Sequence, residues 1–281
     1  MSDSLHPDIP AIDQNVFSAL QSLKELPKIQ KALDIALKQT DQAMNEQVEI
    51  CEIPSPTFHE EKRAEEIARR MKAYGLTDVT IDAIGNVVGV RKGSGHGPVL
   101  VIDAHMDTVF PEGTDVTVRR EGDTYYAPGI GDNTSGVRAL LQLIRCFNEA
   151  DIQTEGDIIF VGTVGEEGNG DIRGAKFICN GDRHIDGYIA IDSFTAGVVV
   201  MGGVGCHRWR VGISGPGGHS FMDFGKIPSA IHAMCHAGHL IDQLTPPSEP
   251  YTTFNIGTIK GGTSVNTIAP SCEVDVDIRS I

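Results

Sequence analysis

The sequence predicts an α/β fold: a mixed, largely parallel sheet flanked by helices, followed by a smaller α+β domain. Three observations carry this expectation. Short apolar runs at 99–104, 157–164 and 187–192 suit strands buried on both faces, and they alternate with stretches of helical periodicity. Strands alternating with helices form sheets with parallel pairs. Near residue 200 the composition then shifts to a glycine-rich alternating stretch, which opens a second β-α-β-β series. The expected domains are 1–203 and 204–281.

Taken in order, residues 12–50 repeat apolar side chains at three or four (Val16, Leu20, Leu23, then Ile29, Leu33, Leu37), and Pro27 should split them into two helices. Thr57 can cap a helix running to about Tyr74, with Glu60 as capping-box partner, Ile67 and Met71 on the apolar face, and Gly75 as terminator. Val79–Ile81 and Val87–Val90 flank the turn-forming pair Gly85-Asn86. Val99 to Ala104 is a buried strand. A helix is entered through Asp132-Asn133-Thr134 and packs Leu140, Leu141 and Ile144 inward. Strands 157–164 and 187–192 complete the first domain. In the second, a strand before GPGGHS precedes a helix at Pro228–Leu244 and strands at Thr253–Ile259 and Cys272–Ile278.

Composition narrows the function. The chain has 281 residues, a formal net charge of -15 and no Lys/Arg cluster, so a cationic groove for nucleic acid is excluded as a reading. Its six cysteines are scattered without a CxxC pair and read as reduced thiols, several of them buried. The opening MSDSLHPDIPAIDQ lacks a basic start and apolar run, and no stretch approaches the ~18 apolar residues of a membrane span. A cytoplasmic protein without a membrane partner is expected.

The acids and imidazoles fall at telling places. His105 and Asp107 end a buried strand one residue apart and so share a face. Asp132 precedes a helix, Glu166-Glu167 follow strand 157–164, and Asp192 closes strand 187–192. Four segments thus deliver an acid or imidazole to the strand ends where open α/β sheets bind ligands. Singly, each acid reads as a solvated or capping group, Asp132 as an N-cap above all. Jointly they suit metal-assisted hydrolysis, in which zinc takes imidazole and carboxylate ligands, two ions about 3.5–4 Å apart can share a bridging carboxylate, and a base removes the proton of an acidified water.

Other motifs read blandly. His232, His236 and His239 lie at helical spacing in the second domain without the Glu of HExxH, and packing on a helix face is expected. SGPGGHS lacks the GxSxG of a nucleophile elbow, and the GxG pairs near 202–218 lack the helix and ribose-binding acid of a dinucleotide site.

HMDTV at 105–109, GIGDN at 129–133, GEEGNG at 165–170, AIDS at 190–193 and GPGGHS at 215–220 together resemble the M20 metallopeptidase family, in its order, over roughly residues 45–281. The resemblance implies a zinc-exopeptidase-like catalytic domain with a lid or dimerisation domain, and two divalent ions, Zn2+ or alternatively Co2+ or Mn2+. It makes His105 and Asp192 terminal ligands of different metals, Asp132 the bridge, Glu167 a further ligand, Glu166 the general base and Asp107 the residue orienting His105. His219 would reach a partner subunit's site in a homodimer and polarise the substrate carbonyl. Asn266 and Arg279, thirteen residues apart, would hold the substrate carboxylate.

HMDTVFPEG and EEGNGD lie nearest the peptidase T branch, so hydrolysis of small peptides is expected, with N-acyl amino acid deacylation as the alternative. Family members return from the lid to supply a final His ligand, and this chain stops at Ile281. A truncated form is therefore expected, and a non-catalytic binding or oligomerisation protein is the reading of another class.

Overall fold

The computed structural model describes residues 13–192 and 197–281; the rest of the opening segment and Ser193 of the AIDS motif lie outside the described residues. The chain divides into two compact units, Met1–Gly197 and Val198–Ile281.

Unit 1 opens with helices α1 (Gln14–Lys24), α2 (Pro27–Lys38), α3 (Thr40–Cys51) and α4 (Glu61–Ala73). Pro27 breaks the first two apart and sits at the start of α2, where its missing N–H costs nothing. A second break at Gln39 makes three helices of the expected two. The periodic apolar residues of α1 and α2 are not core: neither helix has a buried residue, and Leu37 is 74% exposed. Periodicity reports an amphipathic helix but not what covers its apolar face. α4 starts later than expected, and Thr57 does not cap it. The Thr57 hydroxyl instead donates to Asp107 (2.9 Å), while the Glu60 carboxylate accepts from the Gly165 N–H and from Arg173.

The strands of unit 1 are β1 (Asp78–Ile81), β2 (Val87–Arg91), β3 (Leu100–His105), the small hairpin β4 (Arg119–Glu121) and β5 (Thr124–Tyr126), β6 (Ile158–Thr163) and β7 (Gly187–Ala190). Helix α5 (Thr134–Glu149) precedes β6, and the short α6 (Arg173–Cys179) follows it. The main sheet runs β1-β2-β6-β3-β7. It is mixed rather than largely parallel: β6-β3 and β3-β7 are parallel, but β1-β2 and β2-β6 are antiparallel, because β1 and β2 form a hairpin that adds to one side.

The two faces of this sheet bury different cores. Ile67, Met71, Leu140, Leu141, Ile144, Ile102 and Phe160 pack α4 and α5 onto one face, and Val101, Ile159 and Val161 meet Ile178 and Tyr188 on the other. Between the helices Arg70 pairs with Glu46 (3.0 Å), and Arg145 reaches the same carboxylate (3.4 Å).

Unit 2 contains β8 (Gly205–Ser214), β9 (Gly218–His219), α7 (Ala230–Asp242), β10 (Thr252–Gly261), β11 (Thr267–Ile268) and β12 (Ser271–Ser280). β10-β12-β8 form an antiparallel sheet, and Ala230 and Met234 of α7 pack on Cys272, Val274 and Val276 of its central strand. This is the α+β arrangement the sequence predicts.

Candidate metal centre

Register alone brings the first donors together. β3 pairs with β7 through Asp103↔Ala190, so two residues further along Asp192 comes level with His105. His105 Nε2 lies 3.0 Å from Asp132 and 3.8 Å from Asp192. Asp132 is delivered by the start of α5. Its neighbour Asn133, not Asp132, is the cap: Asn133 Oδ1 accepts the Gly136 N–H, and its amide donates to the Ile191 carbonyl (2.8 Å). That clamp ties α5 to the end of β7 and leaves the Asp132 carboxylate free for other work. The Asp132-Asn133 peptide bond is cis.

Glu166 and Glu167 follow β6 after the turn at Gly165, whose φ of +62° suits glycine. Their backbone N–H groups both donate to the fully buried Asp107 carboxylate (3.0 Å each), and Thr57 supplies its third hydrogen bond. Asp107 therefore shapes the Glu166-Glu167 turn as well as facing His105. His105 Nδ1 sits 3.1 Å from the Asp107 carbonyl oxygen and 3.5 Å from its carboxylate, so the orienting contact comes chiefly from the backbone. A proton on Nδ1 leaves the Nε2 lone pair facing Asp132 and Asp192. Behind the strand end, buried Arg63 donates to the carbonyls of Met106, Ile53 and Cys51.

His105, Asp132 and Asp192 form one group of donors within reach of a single ion, and His105, Glu166 and Glu167 form another. The expectation gave His105 and Asp192 to different metals; their adjacent parallel strands in register instead bring both donors within reach of one position. Among the described residues no Lys or Arg pairs with Asp132, Asp192, Glu166 or Glu167. Concentrated negative charge shifts the titrating groups accordingly. Burial, then the charges of Asp132 and Glu166, push Glu167 up to about 7. Burial also raises Glu166 and Asp192, with neighbouring carboxylates adding to the effect. For His105 burial pulls downward, but Asp107, Asp192 and Glu166 outweigh it and raise the imidazole to about 9. Burial opposes Asp107 ionisation, yet His105 and the two N–H donors hold its carboxyl below the usual range. One imidazole among unpaired carboxylates is a donor set suited to borderline divalent cations, so the residues fit the metal role.

In unit 2, β9 pairs with β11 (His219↔Thr267), and Ser220 N–H donates to the Asn266 carbonyl (3.0 Å), so His219 and Asn266 are neighbours. His219 Nδ1 accepts the Phe221 N–H (3.2 Å), which fixes the neutral ring as the Nε2–H tautomer. Arg279 does not join them. It lies near the far end of β12, roughly 27 Å along the strand from Ser271 at about 3.4 Å per residue. Its Nε donates to Asp277 (2.7 Å). Asn266 precedes the near end, so Asn266 and Arg279 of one chain are not neighbours.

Sequence reasoning passed over Arg63, gave Thr57 a capping role it does not have, and named Asn133 only as part of the helix entry. Only Asn133 carried a signal, as a favoured cap type directly before the helix.

Comparison with known proteins follows the same division. Residues 202–281 match the family model for a peptidase dimerisation domain, and residues 86–200 match the model for peptidase family M28. Carboxypeptidase G2 of Pseudomonas sp. (strain RS-16) is 27% identical over 201 residues, covering 69% of this chain and 47% of that protein. A tripeptidase structure from Staphylococcus aureus subsp. aureus Mu50 superposes with a TM-score of 0.60 at 26% identity, covering 85% of this chain and 66% of that one. Human carnosine dipeptidase 1 shares the fold at a TM-score of 0.62 and 13% identity, covering 90% and 72%. The chain spans 32% to 66% of the length of the first curated relatives it matches.

Proposed function

Because the chain belongs to the M20 family of metallopeptidases, we propose that it hydrolyses amide bonds in small peptides at a two-metal centre built from His105, Asp132, Glu167 and Asp192, with Glu166 as general base. The observation that carries this reading is the pair of donor groups sharing His105 at the ends of β3, β6 and β7. The M28 match over 86–200 falls almost wholly on unit 1, whereas the dimerisation domain over 202–281 supports the M20 assignment.

In this reading His105, Asp132, Glu167 and Asp192 would hold the two ions, His105 and Asp192 from the ends of adjacent strands, Asp132 from the start of α5 and Glu167 from the turn after β6. Divalent ions, Zn2+ by the nitrogen and oxygen donor set, would supply Lewis-acid polarisation of the scissile carbonyl and an acidified water. The raised Glu166 carboxylate takes the proton of the attacking water and returns it to the departing amine nitrogen. The buried Asp107 holds the peptide N–H groups of both glutamates, so the base and the ligand keep a fixed spacing. His219, held as the Nε2–H tautomer, is suited to donate to the developing oxyanion, with the Asn266 amide beside it. Arg279 presents a guanidinium for a substrate carboxylate from the opposite end of the sheet. A homodimer would let one chain's His219 and Asn266 serve its partner's metal centre.

The test is a dipeptide and tripeptide panel assayed with and without added Zn2+, Co2+ or Mn2+, alongside metal content by mass spectrometry. Metal-dependent cleavage supports the proposal. A protein that takes up no divalent metal under any of these conditions sinks it.

A further inference from the structure

The three histidines of α7, expected to pack on a helix face, are exposed instead, and among the described residues they gather no donor group. The polar groups that are gathered and not yet assigned lie in unit 1, around the loop that follows β6. Val164, Gly165, Glu166 and Glu167 present four consecutive peptide N–H groups, and a side-chain oxygen accepts from each. Asn86 takes the first (3.0 Å), Glu60 the second (3.0 Å), and the two oxygens of Asp107 the last two (3.0 Å each). All three acceptor residues are buried. Buried N–H groups need partners, and here side chains from three distant segments supply them in place of a neighbouring strand or helix, which fixes the path of this one segment.

The far end of the loop is tied to the same place. Arg173 N–H donates to the Gly165 carbonyl (3.1 Å), Gly174 N–H to that of Val164 (3.0 Å), and the Asn86 amide to the Gly174 carbonyl (3.2 Å). The Arg173 guanidinium then turns back. Its Nη2 donates to both Glu60 oxygens (2.8 and 2.9 Å), and its Cζ lies 4.8 Å from the centre of the Phe58 ring. The Gly165 peptide is thereby held on both sides, its N–H by Glu60 and its carbonyl by the Arg173 backbone. A Cβ on Gly165 would meet the guanidinium, so this close approach requires glycine. A buried carboxylate such as Glu60 is costly without a cation, and the loop supplies that cation from its own end.

We propose that Glu60 and Arg173 are positioning residues, whose buried ion pair pins the neck of the 165–173 loop and so sets where Glu166 and Glu167 stand relative to His105. This role presupposes the two-metal reading and adds a requirement to it. Asp107 grips the two glutamates themselves, and Glu60, from the start of α4, grips the residue before them. With one grip removed, the segment would pivot about the other. Neither Glu60 nor Arg173 belongs to a donor group, so the pair acts on the metal only through the backbone of the loop.

Titrating metal-free protein with Co2+ against a chromophoric chelator reads the affinity, and amide hydrogen exchange of the metal-free protein reads the rigidity of the turn. Glu60→Gln sets an amide NH2 against the Arg173 guanidinium, donor to donor. It should weaken Co2+ binding about 10–100-fold, with faster exchange at Gly165 to Glu167 while the amides of β6 stay protected. Arg173→Lys keeps a cation but loses the guanidinium, and should give a smaller loss in the same direction. Two controls separate positioning from stability. Arg70→Lys weakens another buried ion pair of unit 1 and should lower the urea midpoint without changing Co2+ affinity. Asp171→Asn breaks the exposed pair with Lys176 inside the same loop and should change neither. A wild-type protein that takes up no Co2+ would defeat the two-metal reading, and the exchange measurement alone would then decide whether Glu60 holds the turn. Unchanged affinity and exchange in Glu60→Gln, or an equal loss of affinity in Arg70→Lys, would overturn the assignment.

Discussion

At the scale of single residues, the centre divides into side chains that would touch the reaction and side chains that hold them. Glu166→Gln should keep the metal content and lower kcat by about 10²–10⁴-fold, measured on the best dipeptide of the panel. Asp107→Asn should act differently. Its amide can accept only one of the two N–H donations unaltered, so the Glu166-Glu167 turn loosens and metal affinity should fall about 10–100-fold in a competition titration with a chromophoric chelator. The donors themselves were legible because strand ends are legible: an apolar run closing on His105 or Asp192 announces both burial and position. Thr57 was misread because a Ser/Thr followed by Glu at the third place satisfies the capping pattern as well as it satisfies a distant carboxylate. No local signal tells Thr57 that its partner is fifty residues away. Arg63 was invisible for a related reason, since its partners are carbonyl oxygens, which every residue has.

At the scale of elements, the contact between α5 and the end of β7 decides whether Asp132 and Asp192 can share an ion. Gly136 makes that approach possible, because a Cβ there would run into the Ile191 carbonyl and the Asn133 side chain. Gly136→Ala is therefore expected to lower both stability, by about 1–3 kcal/mol in urea unfolding, and metal affinity; full retention of metal binding would dismiss the clamp. The opposite expectation applies to α1. With no buried residue, it should tolerate Leu20→Glu within about 0.5 kcal/mol. Helical periodicity in residues 12–50 predicted the helices and not their exposure, because the apolar pattern of a surface helix and of a core helix are the same in one dimension. The parallel strands were readable from their uninterrupted apolar runs. The antiparallel addition of β1 and β2 followed from pairing partners that a single sequence does not disclose.

At the scale of the whole molecule, charge and copy number give the remaining tests. The folded-state values of Glu167, about 7, and His105, about 9, both lie above the ordinary values of about 4.3 and 6.5. The raised acid makes the metal-free protein lose stability as pH climbs from about 4.3 to about 7. The raised histidine contributes stability fully present below about 6.5 and lost as pH passes about 9. Urea midpoints should therefore fall between pH 5 and pH 9 without metal, and added Zn2+ should flatten or reverse the trend. If His219 serves a partner's centre, mixing Glu166→Gln with His219→Ala chains should restore about a quarter of the wild-type rate, while the separate variants stay inactive. No recovery after verified subunit exchange would confine His219 to its own chain. The buried Asp107 hub has one more consequence, and it concerns assembly. It accepts hydrogen bonds from residues 50, 59 and 60 positions away along the chain. Each of those loops must close before the hub is satisfied, and long-range closures come late because their entropy is lost before any contact rewards it. Nicking the chain between Asp132 and Glu166 and separating the pieces divides the donors and parts Asp107 from the Glu166 and Glu167 N–H groups, so neither piece should bind metal with the affinity of the intact chain. Cation uptake would then serve as a clock for the final step of folding in unit 1.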